Sequence, residues 1–233
     1  ENYDHLLDAI VLVDSMGCEE LNIDFVAIKN DYHIEKVRRF LKKMKSVDHC
    51  VSYNVFGSKT GRLTTKRNSF PILNLDRDLR KYIRPQNDLF VELDFNAAEL
   101  RTLLALSGKE QHQLDMHEWH RSQFQNKGTR DEIKKRVFAW LYNPTARDAA
   151  LERLYNRDWV KSNHWNGTTV RTPFSRKIEA DDHHALNYIV QSTSSDVCIE
   201  QAVKVNNFLK NMKSNIVFFM HDSIVIDYDA TER

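Results

Sequence analysis

Cysteine, proline and glycine are scarce, at 3, 4 and 6 in a chain of 233 residues. The cysteines, Cys18, Cys50 and Cys198, are odd in number, widely spaced and free of any C-x-x-C pair. That fits reduced thiols in a cytoplasmic protein better than a disulfide framework or a zinc site. Internal repeats and low-complexity tracts are missing. No apolar run approaches the about 20 residues that span a bilayer, and no signal-peptide core opens the chain, so it reads as soluble. An excess of one charge is missing too: 34 Lys and Arg stand against 33 Asp and Glu, for a net charge of +1. Any surface for a polyanion must therefore come from local clusters of cations. The length suits one large domain or two small ones. Residue 1 is Glu rather than Met, and residues 229–233 stop where a helix could begin, so the chain reads as a piece of a longer protein.

What is present is clear periodicity. The first fifty residues read as mostly helical. In residues 33–46, Ile34, Val37, Phe40, Leu41 and Met44 recur at steps of three and four, which predicts a helix with one apolar face. Residues 51–55 alternate as a strand does, and a basic, glycine-containing turn follows at 57–67. Residues 89–95 (L-F-V-E-L-D-F) read as a strand leading into a helix over 97–107. The helix predicted over 130–142 has well-marked ends. Thr129 is its N-cap, Glu132 completes a capping box, and Asn143-Pro144 stops it. A short strand over 170–174, a long helix over 182–211 and two apolar strands at 216–220 and 224–228 complete the pattern. The last two flank His221-Asp222-Ser223, which reads as a tight hairpin.

Two carboxylates stand out, Asp94 at the end of one strand and Asp222 at the tip of the hairpin. Each alone reads as a solvated strand cap. Together they suit magnesium, which takes a few carboxylates plus phosphate oxygens and water. Two such ions a few ångströms apart serve in-line phosphoryl transfer. On the capped helix, Arg130, Lys134, Phe138 and Tyr142 are spaced by four and share one face about 18 Å long. Two cations and then two aromatics suit a triphosphate followed by a sugar and base. The plainer alternative is an amphipathic helix with solvated cations and core aromatics.

Order and spacing together resemble family A DNA polymerases, the group of bacterial DNA polymerase I and many phage replicases. T-G-R-L at 60–63 matches a family segment. D-F-N-A-A-E-L-R at 94–101 matches motif A, and D-M-H at 115–117 matches the triplet before the fingers helix. The 130–142 stripe matches motif B, Asn187 and Gln191 form the N-x-x-x-Q pair, and His221-Asp222 opens motif C. The resemblance covers residues 50–228. It implies an α+β right-hand polymerase fold: an antiparallel palm sheet backed by helices, short helical fingers, and a thumb largely missing. By that likeness residues 1–50 are a helical thumb-side remnant, 51–106 and 169–233 the two parts of the palm, and 107–168 abbreviated fingers.

The resemblance also implies roles. Asp94 and Asp222, with the Phe95 carbonyl, hold two Mg2+ ions. Arg130, Lys134 and His117 bind the triphosphate of a dNTP, and Lys134 protonates the leaving pyrophosphate. Phe138 and Tyr142 pack on the nucleotide. Glu99 fills the space of a ribose 2′-hydroxyl. Arg62, Arg176, Asn187, Gln191 and His221 contact primer–template DNA, with Lys59, Lys66 and Arg67 adding to a local basic patch. A monomer that works in a host cytoplasm, with a processivity factor as a possible partner and no membrane association, completes the expectation.

Three departures bear on it. Motif C has Ser223 where the family usually has glutamate, and a hydroxyl cannot replace a carboxylate. Single-subunit RNA polymerases often carry His-Asp-Ser, whereas Glu99 and Phe138 favour the DNA enzymes. Ala139 and Asn143 replace glycines common in motif B. The stretch from 142 to 176 is short, as in small phage polymerases. Two other readings compete. One is a metal-dependent hydrolase built on His112, Asp115, His117 and His120. The other is a non-catalytic primer–template-binding fragment.

Overall fold

The computed structural model describes residues 2–17, 19–125 and 127–232; the expectation for Cys18 lies outside them. The chain divides into two compact units. One holds the residues up to Asp94 and those from Val197 onward, and the other holds Phe95–Asp196.

The first unit opens with α1 (Asn2–Met16), β1 (Asn22–Ile23), α2 (Phe25–Asn30) and α3 (Glu35–Met44). In α3 the expected apolar stripe buries Val37, Phe40 and Met44. Ile34 falls outside it as the N-cap and is 40 % exposed. Two short ladders follow. The strand expected at 51–55 is only β2 (Tyr53–Asn54), paired with β3 (Thr64–Thr65) inside the expected basic turn. Gly57 permits that closure, because a Cβ there would meet Thr64 Oγ1 at 1.7 Å. Two 3-10 turns lead to β4 (Ile83–Arg84), which pairs with β1.

The main sheet combines β5 (Leu89–Asp94) with β8 (Asn215–Met220) and β9 (Ser223–Tyr228), all antiparallel in the order β5-β9-β8. Central β9 is buried from Ser223 to Asp227, as expected of a strand paired on both edges and covered. Edge strand β8 is held from outside by Tyr53. Its buried hydroxyl donates to the Phe219 carbonyl (2.7 Å) and accepts from the Phe219 N–H (2.8 Å). One core runs through this unit, from Leu12 and Val13 of α1 through Phe40, Phe70 and Tyr82 to Phe219 and Val225.

The second unit is mainly helical, with α4 (Ala98–Leu106), α5 (Met116–Gln123), α6 (Arg130–Tyr142), α7 (Ala149–Leu154) and α8 (Arg157–His164). A hairpin of β6 (Thr169–Arg171) and β7 (Lys177–Glu179) follows. Its own core joins Leu100, Leu103, Met116, Val137, Trp140, Leu151 and Ile189. Helix α6 has the expected bounds and a complete capping box. Thr129 Oγ1 accepts from the Glu132 N–H, and Glu132 Oε2 accepts from the Thr129 N–H at 2.7 Å. Helix α9 (Ala185–Leu209) begins in this unit and ends in the first. Among the described residues, no helix is long and apolar enough to cross a membrane.

Candidate active site

The first unit brings Asp94 and Asp222 to neighbouring chain positions at one end of the sheet. In the antiparallel register Asp94 lies opposite Ser223, so Asp222 is the next residue along. It sits with His221 in the two-residue turn between β8 and β9. Such turns demand a positive φ, and His221 supplies it at +58° although it is not glycine. A histidine there costs about 1–2 kcal/mol, and strain of this kind clusters at functional sites. Asp94 is exposed, while the Asp222 side chain keeps 29 % of its surface.

The nearby thiol of Cys198 registers both charges. It is buried, donates to the Asp222 carbonyl at 3.6 Å, and is pushed up to about 12, first by burial and then by the charges of Asp222 and Asp94. Arg62, in the turn between β2 and β3, places Nη2 4.0 Å from Asp222 Oδ1, the outer limit of an ion pair. Two carboxylates at adjoining chain positions, both close enough to act on the Cys198 thiol, form a donor set that fits a divalent cation using phosphate oxygens and water for its other positions. The Phe95 carbonyl follows Asp94 directly in the chain. Ser223, buried beside Asp222, donates its hydroxyl to Glu92 Oε1 (2.7 Å) and faces the Met220 carbonyl (3.0 Å).

The second unit organises the cation–aromatic stripe of α6. Arg130 Nη2 donates to Asp115 Oδ2 at 2.9 Å, and Asn96 donates to the same oxygen. Asp115 Oδ1 caps α5 by accepting from the His117 and Glu118 N–H groups. The Arg130 guanidinium, helped by these bonds, holds the Asp115 carboxyl well below its usual range. His117 is buried, and its Nδ1 has no protein partner. Burial pushes its imidazole pKa down, opposed by Asp115 and reinforced by Arg130 and Lys134. Lys134 Nζ lies 6.0 Å from the Phe138 ring centre, and His117 lies 5.8 Å from the same ring. Phe138 and Tyr142 stack at 5.7 Å with an interplanar angle of 5°. The α6 stripe therefore runs from the exposed Arg130 and Lys134 to the stacked aromatics, with the buried His117 ring against Phe138.

The remaining candidates are scattered through the second unit. Glu99 is buried in the first turn of α4. Asn187 and Gln191 are one turn apart on α9, half-buried, and the buried Asn187 Oδ1 has no hydrogen-bond partner. Arg176 is fixed by Asp196, donating from Nε and Nη2 over 2.7–3.1 Å to a fully buried carboxylate. The four residues of the hydrolase reading do not converge. His112 stacks on Trp119, His120 Nε2 is 2.7 Å from the Tyr155 hydroxyl, and Asp115 is engaged by Arg130. Among the described residues, no group of three or more His, Cys, Asp or Glu forms a metal site. Sequence reasoning passed over Glu92, although strand alternation places it on the same face as Asp94. It also passed over Arg157, which nothing local marks as a partner of α6.

No family model matches the chain, and no curated protein does. Among solved structures it is similar to the POL domain of Pol1 from M. smegmatis, determined in complex with DNA primer-template and dNTP. The TM-score is 0.62 at 15 % sequence identity, over 84 % of this chain and 46 % of that one. The chain thus spans about half the length of the solved structure it matches. At this identity the likeness is one of fold: a mixed α+β arrangement of helices and small antiparallel sheets, similar to a DNA polymerase domain.

Proposed function

We propose that the chain is the palm and fingers of a phage-type, family A DNA polymerase that adds deoxynucleotides to a primer 3′-hydroxyl under template direction. The observation that carries this reading is the register placing Asp94 opposite Ser223, which sets Asp94 and Asp222 at adjoining strand ends. The ordered motifs and the polymerase-like fold support it.

In the reaction the primer 3′-oxygen forms a bond to the α-phosphorus, the bond from that phosphorus to the bridging oxygen breaks, and pyrophosphate departs. The 3′-hydroxyl proton is lost in the same step. Asp94, Asp222 and the Phe95 carbonyl would hold two Mg2+ ions, which when bound acidify the attacking hydroxyl and neutralise the leaving oxygen. Arg130, Lys134 and His117 bind the triphosphate, and Lys134 gives a proton to the departing pyrophosphate. Phe138 and Tyr142 pack on the incoming nucleotide, and Glu99 closes the space a 2′-hydroxyl would need. Arg62, His221, Arg176, Asn187 and Gln191 line the primer–template. The palm is assigned to residues 51–106 and 169–233, the fingers to 107–168 and a thumb-side remnant to 1–50. The setting we infer is phage DNA replication in a host cytoplasm by a monomer, with a processivity factor as a further partner.

Primer extension with Mg2+ and dNTPs tests the reading. Incorporation is expected from the wild-type chain and abolished in Asp94→Ala and Asp222→Ala. Normal extension by either variant refutes the assignment. Ser223 favours one second reading, a single-subunit RNA polymerase-like nucleotidyltransferase. Equal use of ribonucleotides by the wild type would select it.

A further inference from the structure

We propose that Glu92 is a positioning residue that acts through Ser223 to fix Asp222 relative to Asp94; this rests on the nucleotidyl-transfer reading of those two carboxylates. Glu92 lies two residues before Asp94 on β5, so both side chains leave the same face of the strand. Ser223 stands opposite Asp94 and diagonal to Glu92, within the reach of cross-strand neighbours. The Ser223 hydroxyl is 2.7 Å from Glu92 Oε1 and 3.0 Å from the Met220 carbonyl, so its single proton is shared between two acceptors.

Those contacts tie three pieces of chain together. The Glu92 contact anchors Ser223 to the strand that ends in Asp94. The Met220 contact spans the turn that contains His221, at φ +58°, and Asp222. Ser223 itself is 2 % exposed, so water does not compete freely for its hydroxyl. A strained two-residue turn needs such a clamp to keep one geometry. The clamp also gives Ser223 a use where a carboxylate is expected. The acidic group comes from β5, the hydroxyl from β9, and a glutamate at 223 would set two carboxylates against each other.

The test uses the chain with Glu92→Ala, Ser223→Ala, both together, and Glu92→Gln, each checked for folding by circular dichroism. Mn2+ affinity is read from the electron paramagnetic resonance signal of the free ion. The Mg2+ dependence of single-nucleotide incorporation is read in parallel. Each alanine variant is expected to weaken metal affinity about tenfold or more, the usual effect of removing a group that orients a ligand. The double variant should be no weaker than either single one, because both remove the same contact. Glu92→Gln, whose amide oxygen still accepts from Ser223, should keep nearly wild-type affinity. Ser223→Ala removes one atom and carries the test if Glu92→Ala fails to fold. Metal affinity within twofold of wild type in Ser223→Ala, additive losses in the double variant, or a Glu92→Gln loss equal to that of Glu92→Ala would each overturn the proposal. If Asp94→Ala binds Mn2+ like the wild type, the carboxylate reading falls and this inference falls with it.

Discussion

Replacing Arg157 with methionine isolates what holds the C-terminal end of α6. The Arg157 side chain is 4 % exposed. It donates from Nη1 to the carbonyls of Trp140 (2.7 Å) and Asn143 (3.4 Å), and from Nη2 to that of Ala146. Its guanidinium also lies 4.5 Å from the Trp140 ring centre. The last carbonyls of a helix have no partner within it, so an outside donor must serve them. Of the three acceptors, the bond to Trp140 is the fully buried one; Asn143 is exposed and Ala146 half-buried, so water can replace the arginine there. Orphaning one buried carbonyl costs about 1–3 kcal/mol. Loss of the cation over the indole adds about 0.5–2 kcal/mol.

The opposing effect is relief of a buried charge. Burial already lowers the Arg157 pKa, and Glu152 approaches only to 3.8 Å. Buried ionic groups replaced by apolar ones of similar size are sometimes neutral or stabilising. Here methionine keeps most of the stem but satisfies none of the carbonyls, and the net loss is expected to be about 2–4 kcal/mol. Urea unfolding followed by circular dichroism should show a lower midpoint at unchanged slope. Arg157→Lys, with the charge but not the planar fork, should lose about half as much. Wild-type or greater stability in Arg157→Met would refute the reasoning and make the desolvation penalty the larger effect.

Three further outcomes follow from the same geometry. Tyr53→Phe removes the hydroxyl that serves both the N–H and the carbonyl of Phe219, and should cost about 2–4 kcal/mol in urea unfolding; a loss below about 1 kcal/mol would mean that β8 finds other partners. His120, buried against Tyr155, is held down to about 4, chiefly by burial and then by His117. Between its ordinary value near 6.5 and about 4 the unfolded chain takes up a proton that the folded chain refuses, so stability rises with pH across that window, by at most about 3 kcal/mol. His120→Gln should flatten the pH dependence of unfolding there, and an unchanged slope would refute it. Glu99→Ala should admit ribonucleotides in primer extension; continued rejection would remove Glu99 as the discriminating side chain.

How much of this was legible depended on how local the cause was. Helix α6 is specified by its own residues: Thr129 and Glu132 close one end within a single turn, and Pro144 ends the run at the other. The long strands β5, β8 and β9 were legible because their apolar residues outnumber any competing pattern. Two-residue β2 was legible only in part: a strand reads over 51–55, but its ladder with β3 and the bonds of Tyr53 to Phe219, far along the chain, do not. Arg157 was invisible for the same reason, because it serves α6 from the start of α8. The proposed site shows the boundary most sharply. Each of Asp94 and Asp222 could be read at a strand end, but their adjacency depends on a register that no local pattern states. Ser223, judged alone, is a missing carboxylate. Judged against the strand that faces it, where E-L-D places Glu92 and Asp94 on one face, it is a hydroxyl in contact with a carboxylate already there. A motif residue on a hairpin therefore has to be weighed with the strand it pairs to, and the departure at 223 points toward Glu92 rather than away from the site.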